Sequence, residues 1–171
     1  MRCTMLAATA ALLAFALPAF ADSVIIDDVE FDATGAGVAQ SSVHEDAGPF
    51  KGSVTLNVTN TGAVDWGDFH FAVFSTGQDV TNVDFTDHDA DTMTDLLPTV
   101  NGTPVSYTIA ADGSAIDLFF YGTPILAGQS ATIVVWTDNT VDQVPFFGTM
   151  YYPTPVPEPA TMALLGLGLG A

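Results

Sequence analysis

Apolar and polar residues alternate through the middle of the chain with a period of two. In SVTLNVTN, residues 53–60, Val54, Leu56 and Val58 fall on one side, and Ser53, Thr55, Asn57 and Thr59 on the other. That alternation predicts a strand with one buried face. DFHFAVFS, residues 68–75, puts Phe69, Phe71 and Val73 on one face and His70 on the opposite one. VNGTPVSYTIA predicts a turn at Asn101-Gly102, followed by a strand carrying Val105, Tyr107 and Ile109. ADGS predicts a second turn at Asp112-Gly113. AIDLFFYG and SATIVVWTD are nearly continuous apolar runs, as expected of central strands. PFFGTMYY reads as a last strand, and SVIIDDVEFDA supplies one or two at the start.

The pattern amounts to roughly seven to nine strands with turn signals between them and no amphipathic helix. It predicts an all-β fold, a two-sheet antiparallel β-sandwich of immunoglobulin-like type, with a jelly roll as the alternative. Residues 77–98 are polar and acidic, with a weak strand signal at Val80, Val83 and Phe85. They read as a long loop with at most a short edge strand. VTLNVTNTG and the later ILAGQSATIVVW resemble the strand pattern of bacterial extracellular Ig-like modules. This resemblance is loose and implies a sandwich, without a function.

The first residues change the picture. MRCTMLAATAALLAFALPAFA has one basic residue, an apolar stretch and a small-x-small site at Ala19-Phe20-Ala21 before Asp22. This is the layout of a secretory signal peptide over residues 1–21, with cleavage between Ala21 and Asp22. Residues 22–152 are then expected to form one β-sandwich domain, long enough for a single sizeable core. Cys3 is the one cysteine and lies in the signal. The mature protein therefore has no disulfide, thiolate nucleophile or cysteine metal site. Twenty acidic residues face two basic ones, for a formal net charge of −18. Arg2 leaves with the signal, so Lys51 is the only basic side chain expected in the mature chain. Such a surface repels nucleic acid and anionic membrane.

The last residues are VPEPATMALLGLGLGA. Prolines at 153, 155, 157 and 159 keep the backbone extended, which predicts an exposed stalk over residues 153–159. Residues 160–171 are small and apolar. Twelve helical residues cover about 18 Å, against a bilayer core of about 30 Å. Val156, Pro157, Glu158 and Pro159, followed by MALLGLGLGA, resemble the PEP-CTERM sorting signal. In that family a Pro-Glu-Pro box precedes a transmembrane helix and a short Arg-rich tail. The resemblance implies an exosortase as processing partner and transient anchoring in the inner membrane. Here the helix matches only in its first half and the basic tail is not seen, so the signal is expected to be cut short.

Candidate chemistry is sparse. DFTDHDADTMTD brings Asp84, Asp87, Asp89, Asp91 and Asp95 together in sequence. Asp87-x-Asp89-x-Asp91 has the first ligand spacings of an EF-hand, but Thr92 stands where glycine is needed and Pro98 where the bidentate glutamate belongs. The stretch is read either as a loop calcium site of another type, calcium then being the only cofactor, or as a solvated acidic loop. The histidines are His44, His70 and His88, with HED at 44–46 and DFH at 68–70. No HExxH, GxSxG or Gly-rich phosphate loop occurs.

Trp66, Phe119, Phe120, Tyr121, Trp136, Phe146, Phe147, Tyr151 and Tyr152 are candidates for a sugar-stacking platform or for the core. Trp136 is expected in the core. Trp66 falls in the turn AVDWGD, where an exposed position is open to it. Asn57-Val-Thr59 and Asn101-Gly-Thr103 fit the glycosylation sequon.

The expectation is a non-enzymatic exported protein of a Gram-negative bacterium, at the periplasm, cell surface or extracellular matrix. The family resemblance implies a link to exopolysaccharide and biofilm. The alternative is a calcium-dependent adhesin or carbohydrate-binding module.

Overall fold

A computed structural model describes residues 22–46, 51–74, 82–89, 94–139 and 146–157. The signal-cleavage residues Ala19 and Ala21, the sorting-box residues Glu158 and Pro159, residues 160–171 and Asp91 lie outside them. So do the side chains of Asp22 and Asp89, whose backbones are in strands.

The strands in chain order are β1 (Asp22–Phe31), β2 (Gln40–Glu45), β3 (Lys51–Asn60), β4 (Trp66–Phe74), β5 (Val83–Thr86), β6 (His88–Asp89), β7 (Thr94–Asp95), β8 (Thr99–Val100), β9 (Thr103–Pro104), β10 (Ser106–Ile109), β11 (Ala115–Phe119), β12 (Ser130–Asn139) and β13 (Phe146–Pro155). One 3-10 turn, Ala36–Val38, joins β1 to β2. Sheet A has the order β1-β3-β12-β8-β9, with β5 also paired to β12. Sheet B has the order β10-β11-β4-β13-β2. β6 and β7 form a small separate ladder.

The alternation in the sequence explains the core. Val54, Leu56 and Val58 of β3 and Ile133 and Val135 of β12 are buried and face Phe69 and Phe71 of β4, Ile116 and Leu118 of β11 and Tyr151 of β13. Removing a side chain of this size from water contributes about 1.5–3 kcal/mol, so the two facing layers hold the sheets together without disulfides. Phe31 joins the rings across the core, edge-on to Trp66 at 5.9 Å and to Phe69 at 6.0 Å.

The expected two-sheet β-sandwich is present. β2, β3, β4 and β5 lie alternately in sheets B, A, B and A, and β11, β12 and β13 in B, A and B. The outermost strand of sheet A, β1, runs parallel to β3.

Several local expectations change. β1 carries a bulge: Ile26 pairs with Leu56 and Val29 with Val58, so Asp27 and Asp28 together oppose Asn57. Asp28 takes a left-handed backbone, φ 58°. The extra residue switches which side chains point inward, from Val24 and Ile26 to Val29 and Phe31. Trp136 is half-buried and lies opposite the core face of β12, because the inward phase is set by Ile133 and Val135. Trp66 is in the core, 1 % exposed, because its backbone bridges to Ile125. Val83 and Phe85 form β5 and are buried, a stronger strand than the acidic surroundings predicted. β13 runs on through Pro153 to Pro155, into the stretch read as a stalk.

Candidate functional site

The outer face of sheet B brings together side chains that are far apart in sequence. Asp68 and His70 stand on β4, Asp117 on β11, and Tyr152 and Thr154 on β13, all turned away from the core. His70 Nδ1 is 2.6 Å from Asp117 Oδ1, and its Nε2 is 3.4 Å from Asp68 Oδ1. The imidazole stacks on the Tyr152 ring, 4.8 Å between centroids and 24° apart. Tyr121 donates to Asp68 Oδ2 at 2.5 Å, and the Thr154 hydroxyl donates to Asp68 Oδ1.

The electrostatics follow from this packing. The hydrogen bond to Asp68 raises the His70 pKa, burial opposes it, and Asp117 raises it further. Asp117 is closer, but Asp68 is the less exposed carboxylate, 8 % against 43 %, so its charge is less screened. Burial alone would raise the Asp68 pKa; hydrogen bonds from His70, Thr154 and Tyr121 together outweigh it and hold the carboxyl low. The bond to Asp68 pushes the Tyr121 phenol up to about 12.

This arrangement favours the protonated imidazole and fixes a strand; it is not laid out as a nucleophilic triad. Both ring nitrogens of His70 face carboxylates, and the neighbouring Thr154 hydroxyl donates to Asp68 instead. Nor do the three groups converge on one point as metal ligands would. Among the described residues, no cluster of His, Asp and Glu is placed to hold a metal ion. The same face continues into an apolar strip of Val43, Phe74, Phe146 and Met150, all exposed.

A second His–Asp pair is inside the sandwich. His44 Nε2 is 2.7 Å from Asp46 Oδ1, and both side chains are fully buried. Thr137 of β12 donates to the same carboxylate oxygen at 3.1 Å. His44 Nδ1 and Asp46 Oδ2 have no hydrogen-bond partner among the described residues. Of HED at 44–46, His44 and Asp46 are therefore a buried pair, while Glu45 between them is exposed.

Of the described residues in the acidic stretch, Asp87 and Asp95 lie near one another around Tyr107, and Asp84 has a different setting. Asp84 lies beside Gly113 of the Asp112-Gly113 turn, and burial together with Asp112 raises its pKa. Asp87 accepts from the Tyr107 hydroxyl at 2.7 Å. Asp95 lies 3.7 Å from His88. Of the aromatic candidates, Trp66, Phe120, Phe147 and Tyr151 are buried, whereas Tyr121, Tyr152, Phe119 and Phe146 reach the surface to differing degrees. A shallow polar depression of about 280 Å³ lies on the outer face of sheet A, lined by Asp28, Asn57, Thr59, Asn101, Ser130 and Thr132.

Beyond Thr154 the chain stays attached to the sandwich. Val156 N–H donates to Asp65 O at 2.9 Å, and the side chains of Val156 and Tyr121 close over Gly67, where a Cβ would meet both. Pro157 is exposed. Residues 155–171 match the model of the PEP-CTERM protein-sorting motif. The motif supports an exported protein sorted through an exosortase. Neither a search of the curated proteins nor one of the solved structures finds a match. The PEP-CTERM motif thus begins on the last residue of β13, next to the Asp68–His70 cluster.

The sequence pointed to DFH but not to its partners. Asp117 was the available signal, a lone charge inside the apolar run AIDLFFYG and so an outward position on an otherwise buried strand.

Proposed function

We propose that this is a non-enzymatic protein of the cell surface or extracellular matrix of a Gram-negative bacterium, working beside exopolysaccharide after exosortase sorting. The observation that carries the reading is the PEP-CTERM motif over residues 155–171. Its start on β13 supports a compact domain borne directly on the sorting element. A net charge of −18 suits a hydrated matrix and disfavours close contact with anionic membrane. The non-enzymatic reading is supported by His70 facing carboxylates rather than a nucleophile, and by the burial of His44.

The test is fractionation of an exosortase-deletion strain against its parent. The parent should release the protein into the surface or matrix fraction, together with polysaccharide. The deletion strain and a Glu158→Ala variant should retain it at the membrane. Equal distribution in both strains would overturn the reading.

A second reading is a carbohydrate-binding module. The hydroxyl- and amide-lined depression on sheet A favours it.

A further inference from the structure

Asn57 and Thr132 project outward from neighbouring strands β3 and β12, where Thr132 pairs with Asn57. Their side chains join: the Thr132 hydroxyl donates to Asn57 Oδ1 at 2.7 Å, and Asn57 Nδ2 donates to Asp27 Oδ1 at 2.5 Å. One step along, Thr59 and Ser130 share a hydrogen bond of 2.8 Å. At the other side Asn101 Oδ1 accepts from Thr132 N–H at 2.9 Å. These bonds fix the walls of the depression in one arrangement.

The depression is also shaped by unusual backbone. Asp28 at φ 58° and Asn101 at φ 51° are the two non-glycine residues with positive φ among those described, and both line it. Asp and Asn tolerate that region better than other residues. The bulge in β1 sets Asp27 against Asn57 and leaves Asp28 on the rim. At Asn101 that backbone belongs to the Asn101-Gly102 hairpin turn; Asp28, at the bulge, is a position of the kind that concentrates at binding sites.

The lining defines the ligand. It offers two carboxamides, three hydroxyls and one carboxylate, and no cationic group. Amides and hydroxyls both donate and accept, and the carboxylate accepts only. That set suits vicinal hydroxyls, each of which donates and accepts. An anion would meet Asp27 and Asp28 with no balancing charge. A volume of about 280 Å³ is just below the usual range of ligand pockets, about 300–1,000 Å³, and has room for a single ring. We infer that this depression binds one ring of an uncharged saccharide, with Asp28 and Asn57 holding adjacent hydroxyls. The inference rests on the carbohydrate-binding reading and assigns it a site.

The test is amide-resolved NMR of the isotope-labelled, exported protein, titrated separately with glucose, N-acetylglucosamine, glucuronate and calcium chloride. The neutral sugars should shift the side-chain amide signals of Asn57 and Asn101 with millimolar saturation; glucuronate should not. Asp28→Gly keeps the left-handed backbone without a side chain, so its melting temperature should be retained or raised. Losing a charged hydrogen-bond acceptor should weaken binding about tenfold. Thr132→Val should also weaken binding, through Asn57. Three results overturn the site: saccharide shifts located elsewhere, an unchanged affinity in Asp28→Gly, or shifts at Asn57 from calcium alone. The first two leave a carbohydrate-binding protein with its site elsewhere. No response to any saccharide overturns the site and the carbohydrate-binding reading together.

Discussion

His70 of β4 stacks on Tyr152 of β13 at 4.8 Å, and this contact ties the middle of sheet B to the strand that leads into the sorting motif. Two positions further on, Thr154 is held by Asp68, the other carboxylate facing the same imidazole. The strand end is therefore secured by groups that titrate.

The first prediction concerns pH. The folded pKa of His70 lies above its ordinary 6.5, so its contribution is fully present below about 6.5 and is lost as pH rises through the folded value. Asp68 is held below its ordinary 3.8, so its contribution is present above 3.8 and is lost as pH falls through the folded value. The melting-temperature difference between the wild type and His70→Gln should therefore be largest between those limits and should shrink in alkali. Hydrogen bonds to charged groups contribute about 1.5–3 kcal/mol, reduced here to about 1 kcal/mol by partial exposure. Comparing wild type with variant removes the general benefit of discharging an acidic protein. A pH-independent difference would show that His70 acts only by packing.

The second prediction concerns His44 and Asp46. Removing one member of a fully buried pair leaves an uncompensated polar or charged group, which costs about 3–5 kcal/mol. Asp46→Ala should destabilise by that amount in urea unfolding. The double variant His44→Leu, Asp46→Ala should recover a large part of it. Gly52→Ala should resemble the single variant, since a Cβ there collides with the Asp46 carboxylate. Additive losses in the double variant would mean that the two side chains are not coupled.

How much of this was legible depends on the range of each signal. A period of two is local, so Val54, Leu56 and Val58 announced their face without help from the fold. The sorting motif is linear and was equally readable. The winding of the sheets is set by pairings across long separations, such as Val43 of β2 with Gly148 of β13. No local pattern encodes such pairings. The phase of Trp136 was hidden because VVW is apolar on both faces, and only its neighbours Ile133 and Val135 fix which side is in. Asp65 and Gly67 made Trp66 look like a turn, yet the bridge to Ile125 turns it inward.

The third prediction follows from that last case. Trp66 packs edge-on against Phe31 at 5.9 Å and Phe69 at 6.1 Å, and is 1 % exposed. Truncating a buried aromatic to alanine costs about 3–5 kcal/mol. Trp66→Ala should show that loss in denaturant unfolding, whereas Trp136→Ala, on the half-buried outer face of β12, should lose clearly less. The reverse order would place the wrong tryptophan in the core.

The fourth prediction reads the tyrosines directly. Tyr107 donates to Asp87 at 2.7 Å and Tyr121 to Asp68 at 2.5 Å. In both cases the hydrogen bond to a carboxylate is the main cause, burial adds to it, and the phenol is pushed up to about 12 from 10.0. An absorbance titration of the folded protein should therefore show a late step that Tyr107→Phe and Tyr121→Phe each reduce. Both folded pKa values lie above the unfolded one, so the stability these phenols contribute is present below pH 10 and is lost as pH rises toward 12. Tyr121→Phe also takes a donor from Asp68, so it should raise the pH at which the His70-dependent stability begins to fail in acid. Tyr107→Phe should leave that acid limb unchanged, because its partner is Asp87. Identical acid limbs in the two variants would refute the role given to Tyr121 in holding the Asp68 carboxyl low.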